Sequence, residues 1–255
     1  MLVISDLHGN NEAVRRIVAR RQPLIILGDF LNYVDYRTGH GMVAEVLGID
    51  FARRVAAYRA RQDFAGWREL WGEASSDFDG DVRSAFTAAA ARQYDEMRTA
   101  LVGASGYATF GNVDVPDLLR AALPDDMSFV HGDVVELAGY RIGFVGGAYA
   151  APLAGSVSVS EDEVGDILAG FGRVDILCSH IPPAVDPLRT DVITGRRERA
   201  SQAILSYVTT YQPDYHLFGD VHQPQASRWQ VGETRCQNVG YFRATGRAFE
   251  LPDRA

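Results

Sequence analysis

The most conspicuous absence in this 255-residue sequence is lysine, since all 25 basic residues are arginine. The absence excludes every chemistry that needs a lysine amine, including the phosphate-binding lysine of P-loop proteins, the kinase lysine and Schiff-base catalysis. Neither a G-x-S-x-G nucleophile elbow nor a C-x-x-C pair occurs in the sequence. Several large enzyme classes are therefore excluded before any motif is considered.

Cysteine is scarce and long hydrophobic runs are missing. Cys178 and Cys236 are the only two cysteines and lie far apart, which argues against a disulfide framework and favours a reducing compartment. No apolar stretch approaches the 18 residues or more of a membrane span, and the first residues do not form a signal peptide. We therefore expect a cytoplasmic protein that does not enter a membrane.

Positive charge is also in deficit, because the formal net charge is −8. Proteins that bind nucleic acid mainly through its phosphates need a basic face, so we do not expect a nucleic-acid partner. A small anionic substrate is still compatible with this charge, because bound metal ions can invert the local charge of a site.

Short apolar runs alternate with helical periodicity, which is typical of an α/β protein. The opening strand, helix and strand favour a parallel sheet, with Asn10 as the predicted N-cap of the first helix. The closing hairpins indicate a second sheet. Strands are predicted at 2–5, 24–27, 107–110, 127–131, 134–137, 141–147, 174–180, 214–220, 227–231, 234–239 and 247–251, and helices near 160–169 and 197–211.

Residues 32–103 differ from the rest, because apolar residues recur there at helical spacing and no strand pattern interrupts them. The segment 81–103 is predicted to be one long helix. We predict a single domain over 1–255, with a helical insertion at about 32–103. The insertion carries many aromatic residues, so we expect it to cover a cleft or to form a homo-oligomer interface.

Polar residues gather where the predicted strands end. Asp6 and His8 follow the first strand, and Asp220 and His222 follow a later one; residues two apart in extended chain point to the same side. Carboxylates, imidazoles and an amide oxygen form the ligand set of a divalent metal ion. The candidate ligands are Asp6, His8, Asp29, Asn112, His180, Asp220 and His222. Seven ligands are too many for one ion, so we predict two ions that share one carboxylate.

The order of these motifs, D-x-H, G-D, G-N-x-D, S-H and G-x-x-H between residues 6 and 222, resembles the calcineurin-like metallophosphoesterases. Five motifs in order are a specific signal, whereas a lone G-D or S-H is not. The resemblance implies a four-layer αββα sandwich of two mixed sheets with two metal ions at the sheet edge. It implies that Asp6, His8 and His222 hold the first ion, that Asn112, His180 and Asp220 hold the second, and that Asp29 bridges them.

The sequence departs from the family pattern at two positions. The family's third motif is G-N-H-D or G-N-H-E, and its His is thought to protonate the leaving group; here that position is Val113, and some diesterase-like branches also lack this His. The family's last motif is G-H-x-H, and here its first His is Asp220. A carboxylate hardens the second ligand set, which tilts the expected metal from Zn²⁺ toward Mn²⁺, Fe²⁺ or Mg²⁺, with Mn²⁺ preferred.

Residues beside the motifs are candidates for catalysis and substrate binding. Asn112 is expected to ligate metal and to touch a phosphoryl oxygen, and Asp114 to buttress its loop. Tyr33, Arg37 and His40 follow the Asp29 motif and are the candidate substrate contacts, since Arg37 could bind a phosphate oxygen.

Two other histidines, His131 and His216, are interpreted as structural, because His216 lies inside a predicted strand and His131 begins a loop.

Two functions follow from these observations. The first is a metal-dependent phosphodiesterase, in which a hydroxide held between two ions attacks a small phosphodiester or nucleotide-type substrate. The alternative is a catalytically weak or inactive scaffold of the same fold that serves protein interactions. The ligand residues kept in register favour the enzyme, whereas Val113 and Asp220 favour the scaffold.

Overall fold

Two mixed β-sheets form the centre of the protein, whose computed structural model describes residues 1–61, 63–149 and 157–254. In the first sheet the strand order is β11-β1-β2-β3-β4, and in the second it is β5-β6-β7-β8-β10-β9. The strands are β1 Leu2–Ile4, β2 Leu24–Ile26, β3 Gly106–Ala108, β4 Met127–Phe129, β5 Val134–Leu137, β6 Tyr140–Val145, β7 Ile176–Ser179, β8 Tyr215–Phe218, β9 Arg228–Val231, β10 Thr234–Asn238 and β11 Phe249–Glu250. Only β5, β9 and β11 pair antiparallel to their neighbours among these strands.

Helices surround the two sheets. They are α1 Asn11–Val18, α2 Met42–Leu47, α3 Ile49–Ala60, α4 Phe64–Asp77, α5 Val82–Ala100, α6 Pro116–Ala122, α7 Glu161–Phe171, α8 Asp186–Arg189, α9 Gln202–Tyr211 and α10 Phe242–Thr245. The predicted α/β sandwich of two mixed sheets with helices around them is confirmed. No helix in the described ranges is long and apolar enough to cross a membrane.

Strand alternation divides the core into an inner and an outer part. Val3 and Ile25 belong to a cluster that also contains Phe144 and Leu217 of the second sheet. Leu2 and Ile4 point the other way and join the cluster that includes helices α1 and α5. Because consecutive side chains of a strand face opposite sides, one short apolar run fills both the space between the sheets and the space under the helices.

Side-chain caps set several helix starts. The Asn10 side chain accepts a hydrogen bond from the Ala13 amide, as predicted, and Ser160 forms a capping box with Glu163 at the start of α7. The predicted helix near 197–211 begins later, at Gln202, because Ser201 caps it and the residues before it form a β-bridge between Thr190 and Arg197.

Some elements differ from the prediction. The short helices α6, α8 and α10 were not predicted, because their apolar residues span too few turns to show a period. The last predicted strand lies in the first sheet beside β1, whereas the hairpin of β9 and β10 extends the second sheet.

The block between β2 and β3 is helical, as predicted, and consists of α2 to α5. Its aromatic rings pack on one another around Trp71, which contacts Phe51, Trp67 and Phe86 at centroid distances of 5.2, 5.9 and 6.2 Å. Roles for this insertion as a cover of the cleft or as a homo-oligomer interface stay predictions, as does the single-domain boundary.

His216 lies in the middle of β8 and is fully buried. Its Nε2 is 2.8 Å from the Ser179 hydroxyl, which itself donates to the Ile181 carbonyl at 2.6 Å. Because the hydroxyl hydrogen is used there, the His216 Nε2–H donates to the Ser179 oxygen. Burial lowers the pKa of His216 to about 3. The structural role predicted for His216 agrees with this packing.

We expect His216 to make the protein less stable in acid. An unfolded histidine takes up a proton near pH 6.5, whereas the folded one resists it down to about pH 3. Between these values the unfolded state binds more protons, so the free energy of unfolding should fall as pH drops, by roughly 1.4 kcal/mol per pH unit from this residue. Urea unfolding between about pH 4.5 and 7.5 in chelator should show a shallower pH dependence for His216→Leu than for the wild type. An equal pH dependence of the free energy of unfolding in the two proteins would contradict the assignment of His216 as a buried, neutral imidazole.

Candidate metal centre

The motifs lie in loops that leave the carboxyl ends of parallel strands. Asp6 and His8 follow β1, Asp29 follows β2, and Asp220 follows β8. These four residues have left-handed backbone, with φ of 59°, 40°, 57° and 67°, in a region that non-glycine residues seldom adopt. Such strain persists where the surrounding structure enforces it, and it clusters at functional sites. Here the left-handed residues turn each loop so that its side chains face the same point as those of the other loops.

Glycines next to the ligands allow these loops to approach each other. A Cβ at Gly28 would collide with the backbone of Gly111, and one at Gly219 would collide with the side chains of Ser5 and Asp6. Gly28 also has a φ of +110°, which a side chain would oppose. Gly28 and Gly219 are thus required by the close approach of neighbouring loops.

Four of the predicted ligands form the first group of the centre. Its side chains each offer an oxygen or nitrogen, and these atoms lie within 4.8 Å of one another. The His8 and His222 Nε2 atoms are 3.2 Å apart, and the His222 Nε2 is 3.3 Å from Asp6 Oδ1. The first group consists of Asp6, His8, Asp29 and His222.

The other three predicted ligands are joined to Asp29 directly or through His180. The His180 Nε2 is 3.6 Å from Asp29 Oδ1 and 3.8 Å from Asp220 Oδ1. The amide end of Asn112 is 2.9 Å from Asp29 Oδ2 and 3.2 Å from Oδ1. With nitrogen at that end, Asn112 donates to Asp29; with oxygen there, both residues present acceptors to one point, as a shared cation requires. We call Asp29, Asn112, His180 and Asp220 the second group.

Backbone contacts orient the imidazoles for ligation. The Nδ1–H of His8 faces the Leu31 carbonyl at 3.0 Å, and that of His180 faces the Leu27 carbonyl at 2.9 Å. A hydrogen on Nδ1 leaves the Nε2 lone pair directed at the centre. The buried His180 Nε2 and Asp6 Oδ1 have no hydrogen-bond partner in the described part of the chain. Buried ligand atoms that lack a hydrogen-bond partner are what divalent cations satisfy, so the residues fit metal ions.

The electrostatics of the centre also favour a cation. Burial raises the pKa of Asp29 to about 7, and the nearby carboxylates of Asp6 and Asp114 add to this effect. Burial alone would lower the pKa of His180, but the carboxylates around it, Asp29 first, outweigh burial and raise it to about 9. The apo centre therefore retains protons to offset its negative charge, and divalent ions can replace them.

Asp114 holds the loops of the centre together and is fully buried. Its Oδ2 accepts from the Asp29 and Gly111 amides at 2.7 and 2.9 Å, and its Oδ1 accepts from the Phe30 amide at 3.0 Å. These bonds join the loop after β2 to the loop after β3, and the role expected for Asp114 in the site stays a prediction.

Tyr94, in helix α5, completes this network. Its hydroxyl donates to Asp114 Oδ1 at 3.2 Å and accepts from the Val115 amide at 2.9 Å. In the sequence, Tyr94 is only one of several residues that recur at helical spacing within the predicted helix 81–103. No local signal separates it from its neighbours, because its partners are 20 residues or more away.

Val113 belongs to the larger hydrophobic cluster and is only 6% exposed. Its amide donates to Asp29 Oδ1 at 3.1 Å, so its backbone serves the centre while its side chain packs in the core. An imidazole placed here by Val113→His would have to be buried among apolar side chains.

The three candidate substrate contacts lie in different surroundings. Tyr33 is 8% exposed and stacks on Trp71 with an interplanar angle of 9°. Arg37 and His40 are exposed in the loop that follows. Asp35 of this loop pairs with Arg243 at 2.8 Å, and Arg243 also donates to the His8 carbonyl, which places the loop beside the first group.

The family model for calcineurin-like phosphoesterases matches residues 1–224. The chain belongs to this family. A search of solved structures finds the crystal structure of TT1561 of Thermus thermophilus, with a TM-score of 0.53 and 12% identity over 99% of this chain and 98% of that one. At that identity the likeness shows the fold alone. A search of curated proteins finds no match.

Membership of the calcineurin-like phosphoesterase family and the clustered Asp and His side chains support a metal-dependent phosphoesterase. The match includes the helical insertion and every candidate ligand, but ends before residue 225. The C-terminal segment that contains Arg243 and Tyr241 therefore lies outside it. Sequence reasoning also missed both residues, because no motif marks them.

We expect Tyr94→Phe to destabilise the protein although the ring fits unchanged. The substitution removes one donor from the buried Asp114 and leaves the Val115 amide without its acceptor, which typically costs about 1–3 kcal/mol. Urea unfolding should detect the loss. Tyr107→Phe, which removes a hydroxyl from a half-buried ring of β3, is the matched control. A Tyr94→Phe protein as stable as this control would show that the network is dispensable.

Proposed function

We propose that this phosphoesterase is a phosphodiesterase that uses two divalent ions, one in each ligand group. The observation that carries the proposal is the place of Asp29, whose two oxygens face the two groups. Two ions there would lower the pKa of a bound water and neutralise the phosphoryl oxygens. Mn²⁺ is the ion that we favour, because Asp220 supplies oxygen where the family usually has nitrogen.

Each side chain of the centre has a role in this proposal. Asp6, His8 and His222 would hold the first ion, and Asn112, His180 and Asp220 the second, with Asp29 as the shared ligand. Support for the first set comes from its ligand atoms, which together with one from Asp29 lie within 4.8 Å of one another. Support for the second comes from the His180 Nε2, which is 3.6 Å from Asp29 Oδ1 and 3.8 Å from Asp220 Oδ1.

The amide of Asn112 is only half-buried, so it can reach both Asp29 and a phosphoryl oxygen of the substrate. Asp114 would act indirectly, because its four hydrogen bonds fix the loops that contain Asp29 and Asn112.

A diester suits the charge of this cleft better than a monoester. Asp6, Asp29 and Asp220 bring three carboxylates together, and a monoester adds a second negative charge that a diester lacks. Val113 cannot donate a proton, so a leaving group that needs protonation depends on another donor. Both features favour diesters whose leaving groups are stable anions.

The substrate would enter beside the loop that contains Arg37 and His40. The pair between Asp35 and Arg243 holds this loop near His8, and both candidate contacts are exposed there. Tyr33 would act through packing, since its ring lies against Trp71. We place the activity in the cytoplasm, because Cys178 and Cys236 are buried free thiols, which suits a reducing compartment.

The activity can be tested with chromogenic esters. Protein loaded with Mn²⁺ should hydrolyse bis(p-nitrophenyl) phosphate with a higher kcat/KM than p-nitrophenyl phosphate, and chelator should abolish both reactions. Across a series of aryl and alkyl diesters, the rate should fall steeply as the pKa of the leaving group rises. Val113 cannot protonate the leaving group, and such general acid catalysis is typically worth about 10²–10⁴-fold. Protein that binds two Mn²⁺ ions but hydrolyses no ester in such a series would instead favour the non-catalytic scaffold.

Metal content should depend on Asp29 more than on Asp6. Asp29→Ala removes a ligand from both groups, so we expect it to lose both ions, whereas Asp6→Ala should lose chiefly the first. Elemental analysis after Mn²⁺ loading and gel filtration measures the remaining metal. Asp117→Ala, in the first turn of α6, is the control. Equal metal content in the two ligand variants would contradict the shared role of Asp29.

A further inference from the structure

Residues 241–243 contact the first ligand group although they lie beyond the family match, which ends at 224. The Phe242 amide donates to the Ser5 carbonyl at 3.1 Å, and the Arg243 amide donates to the Asp6 carbonyl at 3.0 Å. The start of α10 is therefore bonded to the backbone of the first motif. This contact places two C-terminal side chains, Tyr241 and Arg243, against ligands that come from elsewhere in the chain.

The Tyr241 ring lies flat on the imidazole of His222. Their centroids are 3.9 Å apart and the interplanar angle is 2°. Tyr241 also meets the edge of the His8 ring, at 5.8 Å and 75°. His222 is the more exposed of the two imidazoles, with 35% of its side chain accessible against 12% for His8. A ring stacked on its face limits the rotation of this exposed ligand.

The Arg243 guanidinium joins two loops of the centre, the one after β1 and the one after β2. It donates to the His8 carbonyl at 3.2 Å, to Asn32 Oδ1 at 2.6 Å and to Asp35 Oδ2 at 2.8 Å. The Asn10 side chain in turn donates to the Arg243 carbonyl at 2.8 Å. His8 has a φ of 40°, so its backbone needs such restraint to keep the imidazole in place.

We propose that Tyr241 and Arg243 are positioning residues for the first metal site. Tyr241 holds the plane of His222, and Arg243 holds the backbone of His8. The inference rests on the proposed function, because it requires an ion in the first group. Since neither residue contacts the second group in the described structure, the effect should be confined to the first ion. Groups that orient metal ligands are typically worth about 10–100-fold in metal affinity.

The test measures each ion separately. The background His180→Ala removes a ligand of the second group only, and His222→Ala removes a ligand of the first group only. Mn²⁺ titration calorimetry in the His180→Ala background should show an affinity about 10–100-fold lower after Tyr241→Leu or Arg243→Met. In the His222→Ala background the same two substitutions should leave the affinity of the remaining ion unchanged.

Conservative variants and controls separate positioning from general stability. Tyr241→Phe keeps the stacked ring and should retain the affinity measured without the substitution. Arg243→Lys keeps the charge but cannot reach all three acceptors, so its affinity should be as low as that of Arg243→Met. The visible spectrum of bound Co²⁺ should change with Tyr241→Leu, because it reports ligand geometry. Arg254→Met and Tyr211→Leu are the matched controls; Arg254 pairs with Asp175 and Asp214, and Tyr211 packs on Tyr207, all away from the ligand groups.

The outcomes distinguish this inference from the proposed function. A wild type that binds no divalent ion overturns both. The inference alone is overturned if the wild type binds two ions but Tyr241→Leu and Arg243→Met do not lower the affinity for Mn²⁺. In that case both variants have the same affinity as the controls in the His180→Ala background. Equal losses of affinity in the two backgrounds also overturn it, because they indicate general destabilisation.

Discussion

Carboxylates held together at the edge of two sheets are the constraint on which the rest of this structure depends. Asp6 and Asp29 are almost fully buried, and Asp220 lies beside them. Such groups repel one another and lose their hydration, so they stay together only with a compensating positive charge. Despite burial, the carboxylates around His180 raise its pKa to about 9, so a proton on this imidazole offsets part of their charge. The buried His180 Nε2 and Asp6 Oδ1 lack hydrogen-bond partners in the described residues, and divalent ions would supply both the contacts and the positive charge.

The ligands are kept in place by residues that do not ligate. Asp114 binds three backbone amides of two motif loops, and Tyr94 binds Asp114 from the helical insertion. Arg243 holds the backbone of His8 from the C-terminal segment. The insertion and the C-terminal segment thus both contact the centre, and the insertion does more than pack against the sheet.

Left-handed backbone gives the loops their direction at a cost in conformational strain. Asp6, Asp29 and Asp220 each follow a strand with positive φ, and Gly28 and Gly219 provide the space that a neighbouring loop occupies. Hydrogen bonds that the Asp114 and Asp29 carboxylates accept from backbone amides offset this strain. The short motifs are therefore both ligands and turns, and a substitution in them changes both properties.

The sequence by itself determined the α/β class, the strands that end in polar motifs and the choice of candidate ligands. Apolar runs and the turns after them are local properties, and the ends of parallel strands necessarily meet at one edge. Tertiary structure alone decided the burial of Val113 and the stacking of Tyr241 on His222. It also decided that Tyr94 and Arg243 reach the centre. These contacts join residues far apart in the chain, and a tyrosine or arginine that packs on a distant loop has the same local pattern as one that does not.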